Sequence, residues 1–434
     1  MNFKIHRGTK EIGGSCVEVW TSNTRIIIDM GMPLVDANRD QFNFKKYENL
    51  TTRELIKQNI LPDIKGLYND NQNLVAGVLI SHSHLDHFGL MNYVSKDIKT
   101  YLGEATHKLI EISNIFTHSN YQLTNFTYFK KEEFFQIGDF KITPYWNDHS
   151  AFDSYSFLIE ANGKSVFYSG DFRDHGRKSK VFKRFLHNAP QNVDYLLLEG
   201  TTIGRKTIKD KTEIEIEDEL FKVFSEPQKI NLVYTAGQNI DRLVSIFKAA
   251  QKIKKLFVID VYIAAILTEL SKFSRLPFPS NSFKNIKVMF PYYSCKKLKN
   301  EGNENILYQF KKYKITKEEI SNQANDIVMI VRPSMKIDLE KIDNLKGGNL
   351  IYSMWEGYLQ NEYTAKFIDY FKNINFKIHN IHTSGHADLV ALQKLVEAID
   401  PKNIIPIHTF EGNLYQDIFR SNVIQCNDGD VINV

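Results

Sequence analysis

The six residues His82-Ser83-His84-Leu85-Asp86-His87 constrain this chain more than any other stretch. Three imidazoles and a carboxylate stand directly after Leu74-Val75-Ala76-Gly77-Val78-Leu79-Ile80, an apolar run of strand length. The residues that follow, Phe88-Gly89-Leu90-Met91-Asn92-Tyr93-Val94, carry a helical spacing. Polar side chains crowded where a buried strand gives way to a helix predict a layered α/β protein, whose chemistry collects at strand ends. In an extended loop side chains two apart can point the same way, so His82 and His84 can share one ion. Asp86 and His87 lie at the expected helix start and can face a second. Imidazole suits zinc and the added carboxylate also accepts manganese, so zinc is expected first and manganese second. Two ions about 3.5–4 Å apart would act on one water and lower its pKa to about 7. A histidine-rich solvated turn is the alternative, and it gives no reason for this density.

Two coordination shells need further ligands, and four other runs supply them. Asp29 closes Arg25-Ile26-Ile27-Ile28, and His408 closes Asn403-Ile404-Ile405-Pro406-Ile407. Asp171 closes Ser165-Val166-Phe167-Tyr168-Ser169-Gly170, where Gly170 allows a tight turn. His149 follows Ile142-Thr143-Pro144-Tyr145-Trp146-Asn147-Asp148 and precedes the alternating Tyr155-Ser156-Phe157-Leu158-Ile159. Each alone is better read as structural. Their common position, at the end of a strand, favours ligation.

Together, Asp29, His82 to His87, His149, Asp171 and His408 resemble the metallo-β-lactamase fold. The resemblance implies an αββα sandwich in which His82, His84 and His149 hold one metal and Asp86, His87 and His408 the other. Asp171 would bridge the two, and Asp29 would support the ligand loops from behind. The chain is more closely similar to the β-CASP nucleic-acid-processing branch, which includes ribonuclease J. Glu199 in Glu199-Gly200-Thr201-Thr202, His386 in His382-Thr383-Ser384-Gly385-His386-Ala387 and His408 in Ile405-Pro406-Ile407-His408-Thr409 resemble that branch's three extra motifs. Tyr234-Thr235-Ala236-Gly237-Gln238-Asn239-Ile240-Asp241-Arg242 resembles the turn that opens its inserted α/β domain.

What this implies is a dinuclear, metal-dependent hydrolase of RNA phosphodiesters, exonucleolytic, endonucleolytic or both. Asp86, Asp171, Glu199 and His386 would be catalytic. Thr383, Ser384, Gly385 and His386 would seat the substrate phosphate at a helix starting near Ala387. Glu199 would orient a histidine, with His408 the expected partner. Two departures stand out. Thr409-Phe410-Glu411-Gly412 follows His408 where ribonuclease J carries glycine and glutamate at once. The sequence ends at Val434, so homo-oligomers are not expected to use the C-terminal domain of ribonuclease J.

A chain of 434 residues suggests two domains. The ligand positions divide it into a metallo-β-lactamase part at 1–205, an inserted β-CASP domain at 206–375 and the remainder of the first domain at 376–434. The insert opens on an acidic helical pattern from Ile208 to Phe224, with Ile214, Leu220 and Phe221 as inward positions. No run of 18 uncharged apolar residues predicts a membrane span, and Met1 to Arg7 carries no secretory signal. Cys16, Cys295 and Cys426 are too few and too far apart for a disulfide framework, which fits a cytoplasmic protein.

Net charge is only +4, but its distribution is uneven. Ser245 to Lys317 holds 15 Lys or Arg against four acids, which is +11 and leaves −7 for the rest. A basic insert facing an acidic metal domain would draw in a nucleic-acid backbone. Single-stranded RNA is the expected partner and DNA the second. Tyr292, Tyr293 and Tyr313 could stack on bases, and Arg332 could reach a phosphate. A plain solvated face is the competing account of the lysines. A hydrolase of a small ester, thioester or lactam, and a non-catalytic RNA-binding relative, are the rival functions. The large insert weighs against the first and the full ligand set against the second.

Overall fold

Runs such as Ile26-Ile27-Ile28 are apolar at every position because both faces of their sheet are covered. The structure, a computed structural model, describes residues 1–36, 40–68, 74–117, 119–206, 208–227, 230–343 and 345–434. Among these residues the strands form three sheets. The first places Val431–Asn433, Asn2–Arg7, Cys16–Trp20, Arg25–Ile28, Gly77–Leu79, Thr100–Leu102 and Phe126–Tyr128 side by side. The second runs Asn422–Val423, Asn403–Ile407, Tyr195–Glu199, Lys164–Tyr168, Ser154–Ala161, Phe140–Asn147 and Phe135–Ile137.

Side chains alternate across each strand, and the alternation assigns them to layers. Ile26, Ile28 and Leu79 of the first sheet share a core with Ile142, Phe157, Tyr168, Leu197 and Ile405 of the second. Their neighbours Ile27 and Val78 turn outward to Leu55 of helix Thr52–Lys57 and Ile110 of helix Glu104–Phe116. Phe167, Leu196 and Ile404 turn outward to helices Ser179–Asn188 and Leu389–Ile399, meeting Phe182, Phe185, Leu392 and Leu395. Helix, sheet, sheet, helix is the αββα sandwich. Each fully buried aliphatic side chain in these layers stabilises it by about 1.5–3 kcal/mol.

The third sheet is wholly parallel, in the order Ile286–Met289, Leu256–Asp260, Ile327–Val331, Asn231–Tyr234, Asn349–Tyr352, Lys377–Asn380. Val233, Ile259, Ile330 and Ile351 pack on helices Glu213–Phe224, Ile240–Lys252 and Val261–Leu270. Leu232, Val258, Met329 and Leu350 pack on the opposite side, against helix Glu362–Asn373. Helix Glu104–Phe116 belongs to both bodies, because Ala105 and Leu109 join the core of the third sheet's helices. Among the described residues no helix is long and apolar enough to cross a membrane. The three cysteines are free thiols.

Two local expectations fail. The helix after the histidine cluster is a single turn, Leu85–Phe88, followed by a 3-10 turn at Met91–Tyr93. Its carbonyls are committed elsewhere: Ser15 N donates to Asp86 O, Met30 N to His87 O and Met32 N to Leu85 O. In helix Glu213–Phe224 the inward face is Ile216, Leu220 and Phe224, while Ile214 and Phe221 are exposed. Spacing alone could not choose that face, because the buried face also carries Glu213 and Glu217.

Candidate metal centre

The centre forms where strands of the two sandwich sheets end side by side. Asp29 follows strand Arg25–Ile28 in a left-handed conformation, at φ +60°. Its carboxylate accepts from Ser81 N and Ser81 Oγ at 2.8 and 2.7 Å, and from the Tyr168 hydroxyl at 2.8 Å. His87 Nδ1 lies 2.8 Å from the same carboxylate, so Asp29 fixes the ring whose Nε2 points at the centre. The turn carrying Asp86 is pressed against Gly31, where a β-carbon would fall 1.8 Å from Asp86 O. Only glycine permits that approach.

Three ligand-type groups result, one of them joining Glu199 and His386 to Asp171 and His408, and the other two match the expected sets. His82, His84 and His149 bring one nitrogen each to within 4.8 Å of one another, and Asp86, His87, Asp171 and His408 form a second group by the same measure. His149 Nε2 is 3.1 Å from His84 Nδ1. Asp171 Oδ2 is 3.2 Å from His87 Nε2 and 3.9 Å from both His82 Nε2 and His149 Nε2, which puts it between the groups. His408 Nε2 is 3.2 Å from Asp86 Oδ2.

Charge separates the groups as well. Burial pushes His82 and His149 well below the usual imidazole range, and His84 down to about 4, so this trio is neutral and its lone pairs are available. In the other group burial works against charge and loses. Asp171 and Asp86 raise His87 and His408, while those imidazoles hold both carboxylates low. His82 Nε2 and Asp171 Oδ1 are buried without a hydrogen-bond partner among the described residues. A buried lone pair and a buried carboxylate oxygen left this way suit a divalent ion, and the N and O donors fit one. The centre is therefore one for divalent metal.

His386 stands at the edge, with 21% of its side chain exposed. Its Nδ1 is 3.5 Å from both Asp171 Oδ2 and Glu199 Oε2. The expected partner of Glu199 was His408; instead Thr201 Oγ1 lies 2.8 Å from His408 Nδ1, and Glu199 turns to His386. Glu199 also accepts from Phe172 N, Thr201 N and Ala387 N at 3.1, 3.2 and 3.4 Å, tying three loops together. The turn before His386 also differs from expectation. The helix begins at Leu389 rather than Ala387, and the Asp388 carboxylate caps it, accepting from Ala391 N at 2.9 Å. The Thr383 hydroxyl donates to Lys211 O, and His386 N donates to Ser384 Oγ. The N–H groups of His386 and Ala387 are thus already bonded, and an acid occupies the helix end.

Beneath this turn lies a buried charge network that spacing did not reveal. Fully buried Arg173 donates to Ser384 O at 3.1 Å and Asp241 Oδ2 at 2.7 Å, and its Nε is 3.6 Å from Asp148 Oδ1. Arg242, equally buried, pairs with Glu213 at 3.0 Å. These residues link the loops bearing His149, Asp171 and His386 to helices packed on the third sheet. Arg173 was visible two residues past Asp171, but a lone arginine carries no spacing signal. Of the expected substrate contacts, Arg332 is paired with Asp260 at 2.7 Å and lies over the Tyr262 ring, so it is not poised for a phosphate. Tyr313 packs against the hydrophobic core, whereas Tyr292 and Tyr293 are exposed. Trp355 and Tyr358, overlooked as an aromatic pair, meet edge to face with centroids 5.4 Å apart and are exposed. Desolvation first and Asp86 second raise the Tyr358 pKa, so its hydroxyl lies within electrostatic reach of Asp86.

Comparison with known proteins gives two family matches that span most of these residues. Residues 55–225 match the beta-lactamase superfamily domain, and residues 372–414 match a Zn-dependent metallo-hydrolase RNA specificity domain. The first span contains His82 to His87, His149, Asp171 and Glu199; the second contains His386 and His408. The fold and these matches define a metallo-β-lactamase-superfamily protein. Ribonuclease J of Helicobacter pylori (strain ATCC 700392 / 26695) is 24% identical across 98% of this chain, which spans 60% of that protein's length. The RNase J-like protein of Methanocaldococcus jannaschii is 23% identical, over 96% of this chain and 93% of its own. The chain is thus similar to ribonuclease J and its relatives over nearly its whole length. A crystal structure of a protein of unknown function from Enterococcus faecalis V583 shares the fold, with a TM-score of 0.75, 20% identity and 99% of both chains covered.

Proposed function

We propose that this chain is a ribonuclease that hydrolyses phosphodiester bonds of single-stranded RNA with two divalent ions, zinc before manganese. The observation that carries the proposal is His386, a solvent-reachable imidazole beside Asp171 and Glu199 at the rim of a buried ligand cluster. His82, His84 and His149 would hold one ion, Asp86, His87 and His408 the other, with Asp171 shared. When bound, such ions polarise water and phosphoryl oxygens. The chain's own residues do the rest. Asp29 holds the His87 ring in place, and Thr201 does the same for His408. Glu199 orients His386, which contacts the scissile phosphate and hands a proton to the leaving oxygen. Gly385 and Ser384 shape the floor beneath that phosphate. In the same proposal, residues 1–205 and 376–434 form the metal domain and 206–375 the insert, except that strand Lys377–Asn380 pairs into the insert's sheet.

The test presents purified protein with Mn or Zn to 5′-monophosphate, 5′-triphosphate and circular RNAs and to single-stranded DNA, beside an Asp86→Ala control. Cleavage confined to 5′-monophosphate ends would mark an exonuclease, and cleavage of circular RNA an endonuclease. Cleavage of DNA alone would move the assignment to a DNA nuclease. No metal-dependent cleavage of any substrate would end the nuclease reading.

A further inference from the structure

Behind the turn bearing His386 lies a second group of ligand-type side chains. Asp174, His175 and Asp388 each bring one ligand atom to within 4.8 Å of the others. His175 is buried, with 2% of its surface exposed, and its Nε2 lies 2.8 Å from Ser384 O. A carbonyl only accepts, so Nε2 carries the hydrogen and Nδ1 of the neutral ring presents a lone pair. That nitrogen is buried and has no hydrogen-bond partner among the described residues. Asp174 Oδ1 faces it at 3.7 Å, while Lys394 engages the other oxygen, Oδ2, at 2.9 Å. Asp388 is held in place from outside the group: Oδ1 accepts from Ala391 N and Oδ2 from Asp210 N, at 2.9 and 3.1 Å. Each carboxylate oxygen keeps a free lone pair.

A buried lone pair facing a carboxylate, as His175 Nδ1 faces Asp174 Oδ1, is repulsive unless a cation stands between them. An imidazole whose far N–H is bonded to a backbone carbonyl is the usual setting of a metal-ligating histidine. We propose that Asp174, His175 and Asp388 form a further divalent-cation site, separate from the main centre and of a kind suited to Mn2+. Two carboxylates with one imidazole span the oxygen and nitrogen preferences that Mn2+ accepts. An ion on Nδ1 would lock the His175 ring and, through Ser384 O, the turn that presents His386.

The site is tested without reference to activity. The full chain carrying His82→Ala and Asp171→Ala, which strip the main centre, is titrated with Mn2+ while free ion is followed by electron paramagnetic resonance. One ion per chain is expected to bind, and adding Asp174→Asn with Asp388→Asn is expected to weaken it by more than about tenfold. Asparagine keeps the cap on helix Leu389–Ile399, so loss of binding would not reflect loss of that helix. Binding that ignores the two asparagines, or no binding in the stripped chain, would overturn the site. A second measurement avoids any folding defect: wild-type crystals soaked in Mn2+ should show an anomalous peak between Asp174, His175 and Asp388. Peaks at the main centre with none there would also overturn it.

Discussion

Asp29 holds the left-handed backbone at φ +60°, a conformation that costs a residue with a β-carbon on the order of 1–3 kcal/mol. His408 does the same at φ +55°. Both are kept there by the contacts they make, Asp29 by Ser81, His87 and Tyr168, His408 by Thr201 and by Gly8, which accepts from its backbone N–H. Asp29→Asn keeps the size and tolerates the left-handed backbone but no longer offers a charged acceptor to His87 Nδ1. The folded chain should survive, with metal affinity lowered about 10–100-fold, as competition with a chromophoric chelator would show. His386→Ala should behave in the opposite way. It contributes to no ligand trio of the proposed pair, so metal content measured by mass spectrometry should stay at the wild-type level while turnover of RNA falls about 100–10,000-fold. A loss of bound metal in that variant would instead make His386 a ligand. Asp29 could be anticipated from sequence because an acid ended an apolar run. The exchange of partners between Glu199 and His408 could not, since residues nearly two hundred or more positions apart meet only through the sheet order.

At the scale of elements, helix Glu213–Phe224 shows what periodicity can and cannot reveal. Its start is legible, because Thr212 and Glu215 form a reciprocal capping box. Its buried face is not, because Glu213 is fully buried against Arg242 and near Arg173. The same limit hid the whole network of Asp148, Arg173, Asp241 and Arg242, whose members come from three separate segments. Strands fared better. Apolar runs covered on both faces, each closed by His or Asp, announced the sandwich and most of the centre together. The network has a pH signature with a definite sign. Burial would raise Glu213, yet Arg242 and Arg173 lower it from 4.5 to about 2. A carboxylate depressed on folding contributes stability that is complete above its unfolded pKa and is lost as pH falls toward the folded value. Glu213→Gln should therefore lower stability at pH 7 by about 3 kcal/mol, by urea denaturation. That gap should narrow as pH drops from 4.5 toward about 2. A gap that stays constant across that range would mean the glutamate acts through packing rather than charge.

Over the whole molecule, the excess of positive charge sits on the body built around the third sheet and the metal ligands on the sandwich. Lys296, Lys299 and Lys311 are exposed, in or just after the short helices that follow strand Ile286–Met289. Trp355 and Tyr358 are exposed, and the Tyr358 hydroxyl lies within electrostatic reach of Asp86. The two features would make separable contributions to the proposed RNA binding. Lysines near a phosphate backbone release counterions, so log affinity falls with log salt by about 0.7 for each phosphate neutralised on a single strand. Stacking a base on an indole is worth about 1–3 kcal/mol and carries almost no salt dependence. Replacing Lys296, Lys299 and Lys311 together by Gln should therefore flatten the salt dependence by about 2 units of slope, measured by fluorescence anisotropy with a single-stranded oligoribonucleotide. Trp355→Ala should leave the slope alone and weaken binding about 5–150-fold at every salt concentration. If the lysine variant kept the wild-type slope, the basic face would be solvent-facing and the RNA would run elsewhere. The tryptophan result would then indicate whether the strand still enters past Asp86. Binding that changed in neither variant would place the RNA on another surface altogether.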